Sequence, residues 1–385
     1  MDRTSDGPRR PVRRVRCGGV LLALVLAGCA APTPGAAGPT AERTSTPAER
    51  VSTPAGKASA GAAAPVEEVR FDADGLTLAG DLYLPDATGP HPAVVLVHGS
   101  GPIDRDATVP GQLGMTFPTP VTIFADLAGA LRDAGYAVLT YDKRTCGPFN
   151  NCADNGYPRP PDDLTVDAFV ADAAAAVAYL RERTEVRPDA VTVAGHSQGA
   201  AFVPPLLIDD PELAAGVMLS AAHDPIDELL ATQAQSLADL LDALGRDAPA
   251  EREAVEQQRQ LAEQVRGLRS GVTDDATPIG GASAGFWRSW LRITDGVPDL
   301  ATQVEQPLLV LGGALDTNVP PAQTQRWRET LTGPAHQVVT LDCVAHALNC
   351  LATDDLTALT PSDVGGAVDP RVAATVVEFL DTHVR

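Results

Sequence analysis

Positive charge is scarce in this chain: 29 Lys and Arg stand against 50 Asp and Glu, for a formal net charge of −21 at pH 7. Phosphate backbones would be repelled by such a surface, and no basic patch with interleaved aromatics interrupts it, so nucleic acid is excluded as a partner. Broad electrostatic footing on anionic lipid is disfavoured for the same reason, and solubility is what the acidity implies. No Cys pair has CxxC spacing and no His/Asp/Glu cluster has ligand spacing, which argues against a metal site. Gly99-Ser100-Gly101 lacks the remainder of a phosphate-binding loop, so no nucleotide cofactor is expected. No internal repeat is visible.

A length of 385 residues allows one large domain or two ordinary ones, and a hydrophobic fraction of 44% is ample for a core. Residues 1–16 carry six arginines and two aspartates, and the uncharged apolar run Cys17 to Gly28 follows. That run is too short to span a bilayer as a stable helix but suits a signal-peptide core. It ends Leu26-Ala27-Gly28-Cys29, which resembles a bacterial lipobox. Residues 1–28 therefore read as a lipoprotein signal peptide and Cys29 as the lipidated mature N-terminus. Cleavage there would take the charge from −21 to −25. Arg13-Arg14 hints at twin-arginine export, though the export route stays open. Residues 30–65, almost all Ala, Pro, Thr, Gly and Ser, cannot bury enough surface to fold. With Cys29 they read as a disordered tether, spanning roughly 30–40 Å as a coil. The expected location is the outer face of the cytoplasmic membrane, by lipid anchor alone, or outside the cell.

Cysteine usage fits an oxidising compartment. Cys146, Cys152, Cys343 and Cys350 allow three connectivities. The local pairs Cys146–Cys152 and Cys343–Cys350 are favoured, each closing a short loop worth roughly 2–3 kcal/mol in the chain-entropy model.

From about residue 66, strand-like and helix-like segments alternate. Val66 to Asp72 and Leu76 to Leu84 read as an antiparallel pair turning near Asp74-Gly75. Further strands are expected at Ala93 to His98, Tyr136 to Tyr141, Ala190 to Gly195, Ala214 to Ser220, Pro307 to Leu311 and Gln337 to Leu341. Helical periodicity marks Val121 to Ala134, Thr165 to Arg183, Pro321 to Leu331 and Arg371 to His383. The pattern predicts an α/β fold: a mostly parallel eight-stranded sheet covered by helices on both faces. Residues 224–300 show no strand signal. With the long helical stretch Asp227 to Arg269 and Trp287 and Trp290 at i, i+3, they read as a helical cap over a core of 66–223 and 301–385.

The stretch Gly195-His196-Ser197-Gln198-Gly199 follows an apolar β-branched run and precedes a small-residue helix start. Strand, sharp Gly-flanked turn and helix form a nucleophile elbow like that of α/β-hydrolases. Gly281-Ala282-Ser283-Ala284-Gly285 has the same spacing, but the Pro and Gly before it rule out a buried strand, so Ser283 reads as a loop or helix-entry serine. A serine nucleophile needs a base and a group to orient that base. The chain order Ser, acid, His points to Asp316, just past the Pro307 strand, and to His346, after the next strand. Asp224, beside His223 after an earlier strand, is the rival acid. His98 and His196, next to turn glycines, read as turn-ordering. Oxyanion donors are expected from the backbone of Gln198 and of the Gly99-Ser100-Gly101 loop, with Ser100 or Gly101 as the second donor.

His98-Gly99-Ser100-Gly101-Pro102-Ile103-Asp104-Arg105-Asp106 resembles the HGSGPxDRD loop of a group of bacterial α/β-hydrolase carboxylesterases. Tyr141-Asp142-Lys143-Arg144-Thr145 resembles the YDKRT segment of the same group. The resemblance covers about residues 66–385. It implies cofactor-free hydrolysis of small-molecule carboxylic esters with short to medium acyl chains, the implied residues falling on Ser197, Asp316 and His346. Asp104, Arg105, Asp142 and Arg144 are expected to form one charge network bracing the oxyanion loop. A peptidase or thioesterase on the same triad, and a non-catalytic binding lipoprotein, are the alternatives. The oligomeric state is left open.

Overall fold

The apolar runs pair into one eight-stranded sheet. A computed structural model describes residues 66–112, 115–150, 152 and 155–385; the signal peptide, Cys29 and the tether lie outside the described residues. The sheet strands are β1 (Glu67–Ala73), β2 (Leu76–Tyr83), β3 (His91–Val97), β4 (Ala137–Tyr141), β5 (Val186–His196), β6 (Ala215–Leu219), β7 (Leu308–Gly313) and β8 (His336–Leu341). Their spatial order is β1-β2-β4-β3-β5-β6-β7-β8. The six strands from β4 to β8 run parallel, and β2 is antiparallel to both its neighbours. Strands β3, β4, β6 and β7 are buried at every position, as a sheet covered on both faces requires.

Two apolar layers flank it. On one face α1 (Ile123–Asp133) and α8 (Pro370–His383) pack through Phe124, Leu127, Val376 and Phe379. On the other lie α2 (Asp167–Arg181), α3 (Val203–Asp209) and α7 (Pro321–Thr330), whose Trp327 is fully buried. The β1–β2 turn uses left-handed Asp74 and Gly75, φ 47° and 78°, which suits the twist of a two-residue hairpin.

Three features depart from the expectation. Residues 224–300 are not purely helical. Besides helices α4 (Ile226–Ala243), α5 (Pro249–Gly267) and α6 (Ala284–Ala301), they hold a tight hairpin between α5 and α6, Pro278–Ile279 against Ala282–Ser283. The stretch from Asp227 to Arg269 is interrupted after Ala243, where Gly245 is left-handed at φ 62° and Pro249 opens a new helix. A second hairpin, Thr108–Gln112 against Met115–Thr122, sits between β3 and α1; its Gly and Pro content hid it. Finally, the elbow leads not into an α-helix but into a 3₁₀ turn, Ser197–Phe202, with α3 following. Ser283 behaves as a helix-entry serine, its Oγ accepting from Phe286 N at 3.1 Å.

Register places the elbow. Val97 at the end of β3 is level with Gly195 near the end of β5, so the loops leaving these strands emerge side by side. At Gly199 the turn presses against β3: a Cβ there would lie 2.3 Å from Val97 O and 2.6 Å from His98 O. We predict that Gly199→Ala destabilises the protein by about 3 kcal/mol or more in denaturant unfolding. Gly129→Ala, where a Cβ in α1 meets nothing within 4 Å, should be neutral or stabilising by up to about 1 kcal/mol.

Candidate active site

Ser197 follows β5 directly and holds φ at 54°, a left-handed conformation that costs free energy in a residue with a Cβ. The turn survives because its neighbours are glycines: a Cβ on Gly195 would lie 2.1 Å from Gly199 O. His346 comes from the loop after β8. Its Nε2 lies 3.2 Å from Ser197 Oγ and its Nδ1 lies 2.8 Å from Asp316 Oδ2. A carboxylate only accepts, so Nδ1 carries the ring proton and Nε2 turns its lone pair to the hydroxyl. Asp316 is a fully buried side chain. Its other oxygen accepts from Asn318 N at 2.9 Å and Val319 N at 2.8 Å. The acid and histidine loops are stitched together by Leu315 N donating to Val344 O at 2.9 Å.

The rival acid is elsewhere engaged. Asp224 accepts from Gln323 Nε2 at 2.7 Å and pairs with Arg326. Its neighbour His223 lies edge-on to Trp327 and meets Thr330 Oγ1 at 2.9 Å. His196 does order the site. Its Nε2–H donates to the His346 carbonyl at 2.9 Å, tying the elbow to the loop that carries the imidazole. Burial, then the nearby His346, pushes His196 down to about 3. His98 donates to the Tyr141 carbonyl and is likewise pushed down to about 3, by burial and then by Lys143.

The four expected bracing residues do not form one network. Arg105 grips Asp142 through Nε at 3.2 Å and Nη2 at 3.0 Å, and reaches Asp81 at 2.7 Å. Burial opposes the Asp142 charge, but hydrogen bonds from Arg105 and Asn155 hold its carboxyl below the usual carboxylate range. Arg144 instead pairs with Asp172 of α2, at 2.5 and 2.8 Å. Asp104 caps its own turn, accepting from Thr108 N at 2.8 Å. The Arg105–Asp142 pair joins the two motifs as expected, whereas Asp81 and Asp172 lie outside both motifs, which do not point to them.

Lys143 sits inside the motif after β4, and nothing in the local sequence points to its role. It is 3% exposed. Its ammonium donates to Gly99 O at 2.6 Å and Gln198 Oε1 at 2.7 Å, and stands 4.3 Å above the Phe169 ring. Across a trans peptide the N–H points opposite to the C=O. Holding the Gly99 carbonyl therefore turns the Ser100 N–H away from the lysine. Ser100 and Gln198 line the cavity that contains Ser197, and Gly101 lines an adjoining one. Gly99 comes close as well: a Cβ on it would be 3.3 Å from Ser197 Cβ.

Both favoured disulfides are formed, Cys146–Cys152 and Cys343–Cys350. The second brackets His346, and Val344 bridges back to Cys350. Among the described residues the one cluster of ligand-type side chains is Cys343, Cys350 and Asp369, and its sulfurs are bonded to each other.

The buried lysine should act on turnover rather than affinity. Lys143→Met is expected to lower kcat about 10²-fold with KM within about twofold; a KM effect alone would contradict this. The buried histidines give a pH signature. With folded values near 3 against 6.5 for the free ring, the unfolded chain binds more protons between those limits. Stability is thus fully present above about pH 6.5 and lost as pH falls toward 3. Tm should decline from about pH 7 to about pH 4, and His196→Asn should make the decline shallower.

Comparison with known proteins agrees with this architecture. Residues 120–350 match the family described as serine aminopeptidase, S33. Esterase EstD of Thermotoga maritima is 31% identical over 326 residues, spanning 82% of this chain and 67% of that protein. The quorum-quenching protein AidA of Acinetobacter baumannii is 30% identical over 175 residues, spanning 43% of this chain and half of its own length. The α/β hydrolase GrgF from a Penicillium species superposes with a TM-score of 0.52 at 20% identity, over 83% of this chain and 99% of its own. The chain is an α/β-hydrolase and belongs to the S33 family.

Proposed function

We propose that the chain is a carboxylic ester hydrolase acting through Ser197, His346 and Asp316. What carries this reading is the continuous run of contacts from carboxylate to imidazole to hydroxyl, at 2.8 and 3.2 Å, beside a lined cavity. His346 Nε2 takes the Ser197 proton as Oγ attacks the ester carbonyl carbon, and the carbonyl oxygen becomes an oxyanion. Backbone N–H groups of Gln198 and of Ser100 or Gly101 receive that charge. His346 then protonates the departing alkoxide, leaving an acyl-Ser197. Water, deprotonated by the same nitrogen, attacks the acyl carbon, and collapse releases the acid and returns the proton to Ser197. Asp316 holds the ring tautomer and offsets the imidazolium charge.

The relation to Esterase EstD and the HGSGPxDRD and YDKRT resemblances support esters over other carbonyl substrates. The cavity beside Ser197 is lined by Ala201, Ala222, Ile226, Leu229, Val297 and Val319, which suits a short to medium aliphatic group. An aminopeptidase reading, which the family description raises, needs a free carboxylate for the substrate ammonium. Asp224 lines the cavity, but it is already paired with Arg326, which favours the ester. The Leu26-Ala27-Gly28-Cys29 segment supports an exported enzyme held to the membrane by lipid on Cys29.

A fluorophosphonate probe should label the protein and fail to label Ser197→Ala; labelling that survives the substitution rejects the nucleophile, and a wild-type protein that resists the probe favours a binding lipoprotein. Asp316→Asn should lower kcat by about 10³–10⁴, at least about 100-fold more than Asp224→Asn. Across p-nitrophenyl esters, kcat/KM should peak between about two and eight acyl carbons and exceed that for an aminoacyl anilide.

A further inference from the structure

Two cavities meet beside the nucleophile. They share Ser100, Gln198 and Trp290 and differ in every other lining residue. The first contains Ser197, is lined mostly by aliphatic side chains, opens to solvent with about 510 Å³ of space counting its open mouth, and carries Asp224 on its wall. The second, about 430 Å³ on the same measure, is bounded by Phe169, Phe286, Trp287 and Trp290, with Lys143 and Thr145 also on its wall. An ester sends two limbs away from one carbonyl carbon, and a site with two chambers of different chemistry sorts them.

The second chamber is built from flat surfaces. Trp287 and Trp290 stack with centroids 5.4 Å apart and planes 8° from parallel. Phe286 stands edge-on to both, at 5.8 and 5.9 Å, and Phe169 is edge-on to Phe286 at 6.2 Å. The chain has only 3 Trp and 8 Phe, and two of the one and two of the other surround this one space. The Trp287 N–H is already given to Ile279 O at 2.8 Å, so that ring offers faces and edges rather than a donor. An aryl group entering such a chamber finds edge-to-face and offset-stacked partners that a saturated ring of the same size cannot use. The Lys143 ammonium adds a positive wall, which favours an electron-rich ring and rejects a cation.

On this basis, and resting on the ester-hydrolase reading above, we propose that the chamber bounded by Phe169, Phe286, Trp287 and Trp290 is an aryl subsite. The substrates it selects are uncharged or anionic esters with one aromatic limb and one aliphatic limb.

Matched esters test this. Benzyl acetate against cyclohexylmethyl acetate places the ring on the alcohol limb; methyl phenylacetate against methyl cyclohexylacetate places it on the acyl limb. Full-length protein should show kcat/KM at least about tenfold higher for the aromatic member of one pair, and that pair identifies which limb enters the chamber. Phe286→Leu should bring the ratio toward one. Ala282→Leu, which fills the chamber from the cap hairpin, should do the same, so a folding failure in either variant leaves the other to decide. Equal rates within both pairs, or a preference that persists in whichever variants fold, overturns the subsite while leaving the ester reading intact. Failure to hydrolyse any ester, aromatic or saturated, overturns both.

Discussion

The structure hangs on the contact between the elbow and the strand beside it. Gly199 packs against the Val97 and His98 carbonyls at a distance no side chain tolerates. That contact forces Ser197 to a left-handed φ and brings the loop after β3 against it. Ser197 and the Gly99-Ser100 backbone are therefore neighbours because two backbones touch, not because two side chains attract. The strain at Ser197 is offset by the fully buried strands on either side, which leave the turn nowhere to relax.

Around this contact the protein fixes its polar groups in layers. His196 holds the His346 backbone and Asp316 holds the His346 ring, so the imidazole is constrained at both ends. Lys143 holds Gly99 and Gln198. Arg105, clamped to Asp142 and Asp81, fixes the start of the segment that carries this loop onward. The Cys343–Cys350 link closes the histidine loop on itself. In a chain of net charge −21, Lys143 and Arg105 are local devices, each matched to specific acceptors and not to the overall field.

Much of this was legible in the sequence for a definite reason. Apolar runs such as Ala93 to Val97 and glycine-flanked turns such as 195–199 are local signals, and their physics is carried within a few residues. The order of Ser197, Asp316 and His346 was legible because each follows a sheet strand at its carboxyl end, where a doubly wound sheet places its site. The Arg105–Asp142 pair was legible in the two motifs, whereas Asp81 and the Arg144–Asp172 pair were not, since these are joined only through the sheet and α2. The role of Lys143 was hidden for the same reason: its acceptors are on β3 and β5 loops. The two hairpins were hidden by Pro and Gly, which mark turns but do not say that two short strands flank them.

The most direct measurement is a crystal structure of the protein after reaction with a fluorophosphonate. The account predicts phosphorus bonded to Ser197 Oγ and the phosphoryl oxygen within hydrogen-bond reach of the Gln198 and Ser100 backbone nitrogens. It also predicts His346 Nδ1 still against Asp316. A phosphoryl oxygen facing away from those nitrogens, or an imidazole paired with Asp224 instead, would contradict it.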